Sequence, residues 1–213
     1  NRMKKLESSI TNMILVLVGV ALVTGAILAY VNNVTAGPIK EQAEKTLTDG
    51  IKKVMGGKND VKVSASKPIT QNIKGKELTY VVHLTQDSKG NDLGAAVEST
   101  TNGFGGDLKV LVGFNTEGEI LGYTILQTAE TPGLGAKAQD WFQKDGKGNI
   151  IGMNPSVPLT VSKDGGKVNA ITASTITSRA FLSAVNNAYK AYAGMVGNKT
   201  ADASTGATKV NKN

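Results

Sequence analysis

The sequence predicts an α+β protein: one N-terminal transmembrane helix, then a single, mainly antiparallel sheet domain with flanking helices. Three observations carry this. An uncharged apolar run fills residues 10–31. Beyond residue 57 the hydrophobic period shortens from that of a helix to the two-residue alternation of strands, broken by turn clusters. Late in the chain the helical period returns, with Phe181, Val185, Ala188 and Tyr192 three and four residues apart.

As a helix, residues 10–31 extend roughly 33 Å, enough to cross the hydrocarbon core of a bilayer. Arg2, Lys4 and Lys5 precede the run. The positive-inside bias therefore places residues 1–9 in the cytoplasm and the rest on the outer side of a bacterial inner membrane. Two readings compete. A signal peptide cleaved after the small residues Val34 and Ala36 would have a shorter apolar core, and the absence of any polar face argues against a buried core helix. A second, amphipathic helix is expected over residues 35–57. Ile39, Ala43, Leu47 and Ile51 recur at every fourth position, Gly37 and Pro38 mark its start, and Gly56 and Gly57 stop it.

The sheet domain is expected over residues 58–195. Residues 78–85 alternate Leu78, Tyr80, Val82 and Leu84 against Thr79, Val81, His83 and Thr85, as a half-buried strand does. His83 falls on the more polar face and reads as a solvated or strand-pairing histidine. Residues 108–114 and 120–128 flank Asn115, Thr116, Glu117 and Gly118 and form a hairpin. Short strands are expected at 157–161 and 168–172, around the turn Lys163-Asp164-Gly165-Gly166. The last helix takes Thr177 or Ser178 as its N-cap. Residues 196–213 lack periodicity and read as a disordered tail.

Composition removes several functions. There is no cysteine and one histidine, so thiolate nucleophiles, iron–sulfur clusters, bis-histidine haem and a His triad for zinc are excluded within the chain. Redox work would need an organic cofactor. The net charge is +7, but the lysines are dispersed and aromatics are scarce, which speaks against nucleic acid as a partner.

Two segments could carry chemistry. The loop Glu130-Thr131-Pro132-Gly133-Leu134-Gly135 follows the hairpin; its glycines allow close approach of a flat ring or an anion, and Glu130 could accept hydrogen bonds from ring N–H groups. The segment from Asn169 to Arg179 holds Thr172, Ser174, Thr175, Thr177 and Ser178 where a strand meets the last helix. A helix start offers unpaired N–H donors and partial positive charge, so it suits a phosphorylated ligand, with Arg179 adding charge.

These two segments, in this order behind an N-in anchor and with Gly103-Phe104-Gly105-Gly106 before the hairpin, resemble the FMN-binding domain shared by two proteins. One is the G subunit of Rnf-type electron transport complexes; the other is the longer C subunit of sodium-pumping NADH:quinone reductases. The resemblance covers residues 1–195 and favours the G subunit by length. It implies FMN joined by a flavin transferase to a threonine hydroxyl in a pattern Asp-x-x-Ser/Thr-Gly-Ala-Thr. That threonine is Thr175, with Asn169, Ala173 and Ser174 standing where the pattern has Asp, Gly and Ala. Thr177 is the local alternative, and Thr208 in the tail lies in a better-spelled copy of the pattern without a scaffold around it.

The resemblance further implies cofactor contacts from Glu130, Thr131, Gly133, Leu134, Gly135, Thr172, Thr177 and Ser178. Trp141 and Phe142 read as core rather than ring contacts. The expected function is electron relay between other membrane subunits of an ion-translocating ferredoxin:NAD oxidoreductase, with membrane lipid around the anchor and no catalysis by the chain alone. The rivals are the C subunit of the quinone reductase and a non-redox anchored surface domain. An isolated flavin enzyme is disfavoured, since no Gly-x-Gly-x-x-Gly follows a strand.

Overall fold

The structure, a computed structural model, describes residues 10–57, 60–73 and 76–205. The chain divides into two compact units, residues 1–46 and 47–213. In the first, helix α1 (Ile10–Val54) begins, and over residues 10–46 its side chains are all exposed, Leu17 at 73% and Leu28 at 69% among them. Among the described residues nothing covers this surface. The helix is long and apolar enough to cross a membrane.

The expected break at Gly37-Pro38 does not occur, and the two predicted helices are one. A proline removes one backbone donor and crowds the carbonyl four residues earlier. That cost is local, and here it is flanked by the long apolar run on one side and by the helix formers Glu41, Gln42, Ala43 and Glu44 on the other.

In the second unit five strands form one antiparallel sheet in chain order: β1 (Lys62–Ile73), β2 (Lys76–Gln86), β3 (Asp92–Asn102), β4 (Asp107–Phe114) and β5 (Ile120–Thr128). The alternation of each strand sorts its side chains to two faces. Tyr80, Val82, Val97, Val110 and Val112 pack against Phe181, Val185, Ala188 and Tyr192 of helix α3 (Thr175–Thr205). Ala96 and Leu111 take the other face and pack against Ile51, Val54 and Met55. There the helix lies close, because a side chain at Gly113 would strike the Val54 carbonyl and one at Gly122 would meet the same backbone.

His83 is strand-pairing but not solvated. It is 5% exposed, its Nε2 bonds Glu98 Oε1 at 2.8 Å, and the Ser66 hydroxyl bonds Nδ1 at 2.7 Å. Lys109 pairs with the other Glu98 oxygen. Burial pushes the Glu98 carboxyl up, but the bonds from His83 and Lys109 outweigh it and hold it below its ordinary value.

Residues 157–161 and 168–172 are not strands of the sheet. They meet only in a parallel bridge, Val161 with Val168, around a 3₁₀ turn at Ser162–Asp164. The Asn186 side-chain amide serves both the N–H and the carbonyl of Leu159 at 2.9 Å, so this backbone is satisfied without a ladder. Helix α3 also departs from expectation at both ends. It starts at Thr175, ahead of Thr177 and Ser178, and runs to Thr205 through the first part of the expected tail, because loss of the apolar stripe ends the packing signal rather than the helix.

The outer edge of β5 is sealed by side chains. Gln139 accepts from Ile125 N at 2.9 Å, and Gln143 donates to Tyr123 O at 3.1 Å, both from in and beside the short helix α2 (Ala138–Trp141). The Tyr123 hydroxyl donates to Ala138 O at 2.6 Å and accepts from Phe142 N; burial raises its pKa. Phe142 stacks on Phe181 at 4.4 Å, as core. These contacts fix where the chain lands after β5, and so position the loop before α2.

Candidate functional site

Three segments converge where β5 ends. Glu130, 7% exposed, sits at their centre. Its Oε1 accepts from Phe104 N at 2.6 Å and Gly105 N at 3.4 Å, in the turn between β3 and β4. Its Oε2 accepts from the Thr177 hydroxyl at 2.8 Å, in the first turn of α3. Both oxygens thus hold donors from the protein, and Glu130 braces the turn before β4 against the start of α3 while also lining the cavity described below. The packing around it admits only glycine: a side chain at Gly103 or Gly135 would collide with its carboxylate, and one at Gly105 with the Ala129 carbonyl.

The hydroxyl-rich segment sorts into distinct roles. Thr177 and Ser178 are 1% and 0% exposed. Thr177 is bound to Glu130; Ser178 Oγ donates to Ser174 O and accepts from Ile171 N, both at 2.9 Å. They hold the helix start in place. Ser174 is buried and Thr172 is exposed away from the cavity described next. Thr175 is half-buried, and its Oγ1 meets Lys163 Nζ at 3.4 Å.

Thr175 opens into a cavity of about 430 Å³, bounded by Phe104, Glu130, Thr131, Leu134, Gly135, Ile176 and Thr177 with residues 173–174. Its rim is apolar and uncovered: Phe104 is 69%, Ile176 54% and Leu134 43% exposed. A larger groove of about 740 Å³ runs along α3 past Arg179, Asn186 and Lys190, but none of the expected site residues line it. The cavity beside Thr175 is therefore the candidate site.

Of the residues expected to bind a cofactor, Glu130, Thr131, Leu134, Gly135, Thr175 and Thr177 share this cavity. Gly133, Thr172 and Ser178 do not line it; Gly133 instead provides a positive φ of 78° in the loop. Trp141 and Phe142 also lie elsewhere, Trp141 donating to Asn169 O at 2.9 Å. Thr208 is outside the described residues. Phe104 and Ile176, which sequence reasoning did not assign to the site, also line the cavity, and Lys163, likewise unassigned, is outside its lining but reaches Thr175 Oγ1. An apolar residue inside a glycine turn, as Phe104 is, cannot reach a core, and that was the available signal.

Two of the departures from the acceptor pattern have structural consequences. Asn169 donates its amide to Lys147 O at 3.0 Å, a bond that an acceptor-only carboxylate could not make. Ala173 has φ 61°, the only non-glycine with positive φ among the described residues. Left-handed backbone costs a residue with a Cβ roughly 1–2 kcal/mol, so Ala173→Gly is expected to stabilise the fold by about 0.5–1 kcal/mol after the opposing gain in unfolded-state freedom. A chemical denaturation midpoint that falls in A173G would contradict this. Among the described residues no cluster of His, Asp and Glu could hold a metal.

Comparison with known proteins supplies the family. Residues 103–190, which contain every segment of the cavity, match the FMN-binding domain family. The chain is 33% identical over 175 residues to the G subunit of the ion-translocating oxidoreductase complex of Shewanella oneidensis, covering 79% of this chain and 82% of that one. It is 32% identical over 184 residues to the G subunit of the Na(+)-translocating ferredoxin:NAD(+) oxidoreductase complex of Acetobacterium woodii, covering 84% and 89%. The fold is similar to the crystal structure of the C subunit of the Na(+)-translocating NADH-quinone reductase from Parabacteroides distasonis, with a TM-score of 0.50 and 18% identity over 74% of this chain and 95% of that one. By these matches the chain belongs to the family of FMN-binding G subunits of ion-translocating oxidoreductase complexes, with an apolar helix long enough to cross a membrane followed by an antiparallel sheet domain.

Proposed function

We propose that this chain carries FMN as a phosphoester on Thr175 and relays electrons between membrane subunits of an Rnf-type ion-translocating complex. The observation that carries the reading is selective. Of the five hydroxyls between Thr172 and Ser178, Thr175 alone is both accessible and open to the cavity, while its neighbours are buried, bound or turned elsewhere. The residues present also suit the cofactor. An uncovered apolar rim of Phe104, Leu134 and Ile176 matches a flat aromatic ring, and the first turn of a long helix with Lys163 beside it matches a phosphate.

A bound flavin supplies electron transfer singly or in pairs. The chain's residues do the rest. Thr175 would tether the phosphate, the first N–H groups of α3 would offset its charge, Leu134 and its neighbours would contact the ring, and Thr131 would offer a hydrogen bond. Attachment is phosphoryl transfer without redox change. A flavin transferase would present FMN as its phosphoanhydride with AMP, FAD; the Thr175 Oγ–P bond would form, the P–O bond of the anhydride would break so that AMP leaves with the bridging oxygen, and the hydroxyl proton would pass to a base of the transferase or to water. Arg2, Lys4 and Lys5 support an N-in topology with the FMN domain on the outer side. Ion movement would belong to multi-span partners, because residues 10–31 contain no Asp, Glu, His, Lys or Arg.

The relatives named as G subunits, covered over more than four-fifths of their length, favour that assignment over the C subunit of the quinone reductase. The full chain, co-expressed with a flavin transferase and run on a denaturing gel, should give a fluorescent band. Tryptic mapping should then place FMN on residues 168–179. A colourless band supports the non-redox rival, and FMN on residues 200–209 alone moves the site to Thr208.

A further inference from the structure

Lys163 stands at the Thr175 hydroxyl for reasons written into two elements at once. Its turn is closed by backbone bonds from Ser162 N to Val168 O at 2.8 Å, Asp164 N to Val161 O at 2.9 Å and Gly166 N to Val161 O at 3.1 Å. Gly165 supplies φ 83°, and Gly166 lies so close to Thr160 that a side chain there would clash. The turn is also tied to α3. Asp164 accepts from Arg179 twice, Nε to Oδ2 at 2.8 Å and Nη2 to Oδ1 at 2.7 Å, and Arg179 is four residues, one helical turn, beyond Thr175.

That pairing decides which cation is available. The hydrogen bonds and charge of Arg179 hold the Asp164 carboxyl below its usual range, and the fork geometry uses both carboxylate oxygens. Lys163, next to Asp164 in sequence, is left without a carboxylate partner among the described residues, and its ammonium reaches Thr175 Oγ1 at 3.4 Å. An ammonium is a donor only. It can neither take the hydroxyl proton nor accept a bond from the phosphate; it can donate to oxygens that carry negative charge.

We propose that Lys163 is the phosphate-recognising cation of this site, and that the Asp164–Arg179 pair is its positioning device. During attachment the ammonium would donate to the non-bridging oxygens of the phosphorus under attack by Thr175 Oγ; afterwards it would neutralise the phosphodiester. Arg179, the more obvious basic residue beside the helix start, contacts no phosphate and acts through Asp164. The proposal rests on the Thr175 flavin reading and adds to it the residue that recognises the phosphate.

The test uses membranes holding the unloaded full chain, with a flavin transferase and FAD as the phosphoanhydride donor, supplied at limiting concentration. The initial rate of covalent fluorescence is measured for wild type, K163Q, K163R and R179Q. K163Q is expected to load about tenfold slower, the loss of one charge-bearing donor at an exposed site. K163R should stay within about twofold, since it keeps the charge at similar reach, and R179Q should fall between them. Added salt should slow wild type more than K163Q, a response that a purely structural lysine would not give. K163Q loading at the wild-type rate, or K163R as slow as K163Q, overturns the proposal. No loading of wild type under conditions where another substrate of the transferase loads refutes the flavin reading itself, which separates the two failures.

Discussion

Thr175→Val is expected to abolish the proposed covalent flavin completely and to leave the fold intact. The substitution exchanges a hydroxyl for a methyl at nearly constant volume in the first turn of α3. The lost hydroxyl is half-buried, and its one contact is the 3.4 Å approach of an exposed lysine, so no buried donor is orphaned. Valine and threonine differ little in helix propensity, and the stability change should stay within about 0.5 kcal/mol, as for most surface substitutions. The chemistry is all-or-none by contrast, because phosphoester formation needs an oxygen nucleophile. Thr175→Ser keeps that oxygen and should load, with the extra rotamers of serine slowing it. Thr177→Val is the informative control: it removes a buried hydroxyl and leaves Glu130 short of a donor, so it should destabilise the protein while flavin remains on Thr175. A fluorescent band of wild-type strength in T175V would move the attachment elsewhere, and the peptide map would show where.

The parts of this molecule legible in the sequence are those where one residue's chemistry suffices. The uncharged run of residues 10–31 declares an apolar helix, and the β4–β5 hairpin announces itself through two alternating runs about Asn115, whose side chain accepts from Glu117 N and Glu119 N. β1 and β3 escaped notice. β1 is an edge strand with serine, lysine and Pro68 in it, and β3 carries Gly94, Glu98 and consecutive threonines, so neither shows clean alternation. Their strand state comes from pairing with β2 and β4.

The site divides in the same way. The loop at residues 130–135 and the hydroxyl-rich segment 172–178 were legible from glycine content and hydroxyl density, and within that segment Thr175 was singled out by the family resemblance. The role of Glu130 was not, because a carboxylate in a glycine loop reads equally as a ligand group or as a brace. Only the positions of Phe104 and Thr177, 26 and 47 residues away in the chain, decide between them. Lys163 was hidden for a related reason: a lysine in a polar turn is unremarkable until Asp164 and Arg179 lock that turn onto the helix that bears Thr175.

The brace reading makes the second large prediction. Glu130→Ala should cost about 3 kcal/mol, since it leaves the Phe104 N–H and the buried Thr177 hydroxyl without their acceptor and opens a void beside Gly103 and Gly135. Glu130→Gln separates shape from charge. Its carbonyl can face Phe104 N while its amide donates to Thr177 Oγ1, which as a hydroxyl can accept instead of donate. The network survives with neutral hydrogen bonds in place of charge-assisted ones, so the loss should be nearer 1 kcal/mol. Had Glu130 been a ring ligand and not a brace, the order would differ: both variants would melt like wild type and differ only in how the bound flavin behaves. Denaturation midpoints of the two variants therefore discriminate directly, and a wild-type midpoint for E130A would refute the brace. Covalent loading should follow stability here, low in E130A and near normal in E130Q, because the proposed nucleophile and phosphate contacts lie on α3 and the Lys163 turn, which Glu130 only braces. Glu130 contributes by holding Thr177, and with it the helix start, against the turn that carries Phe104.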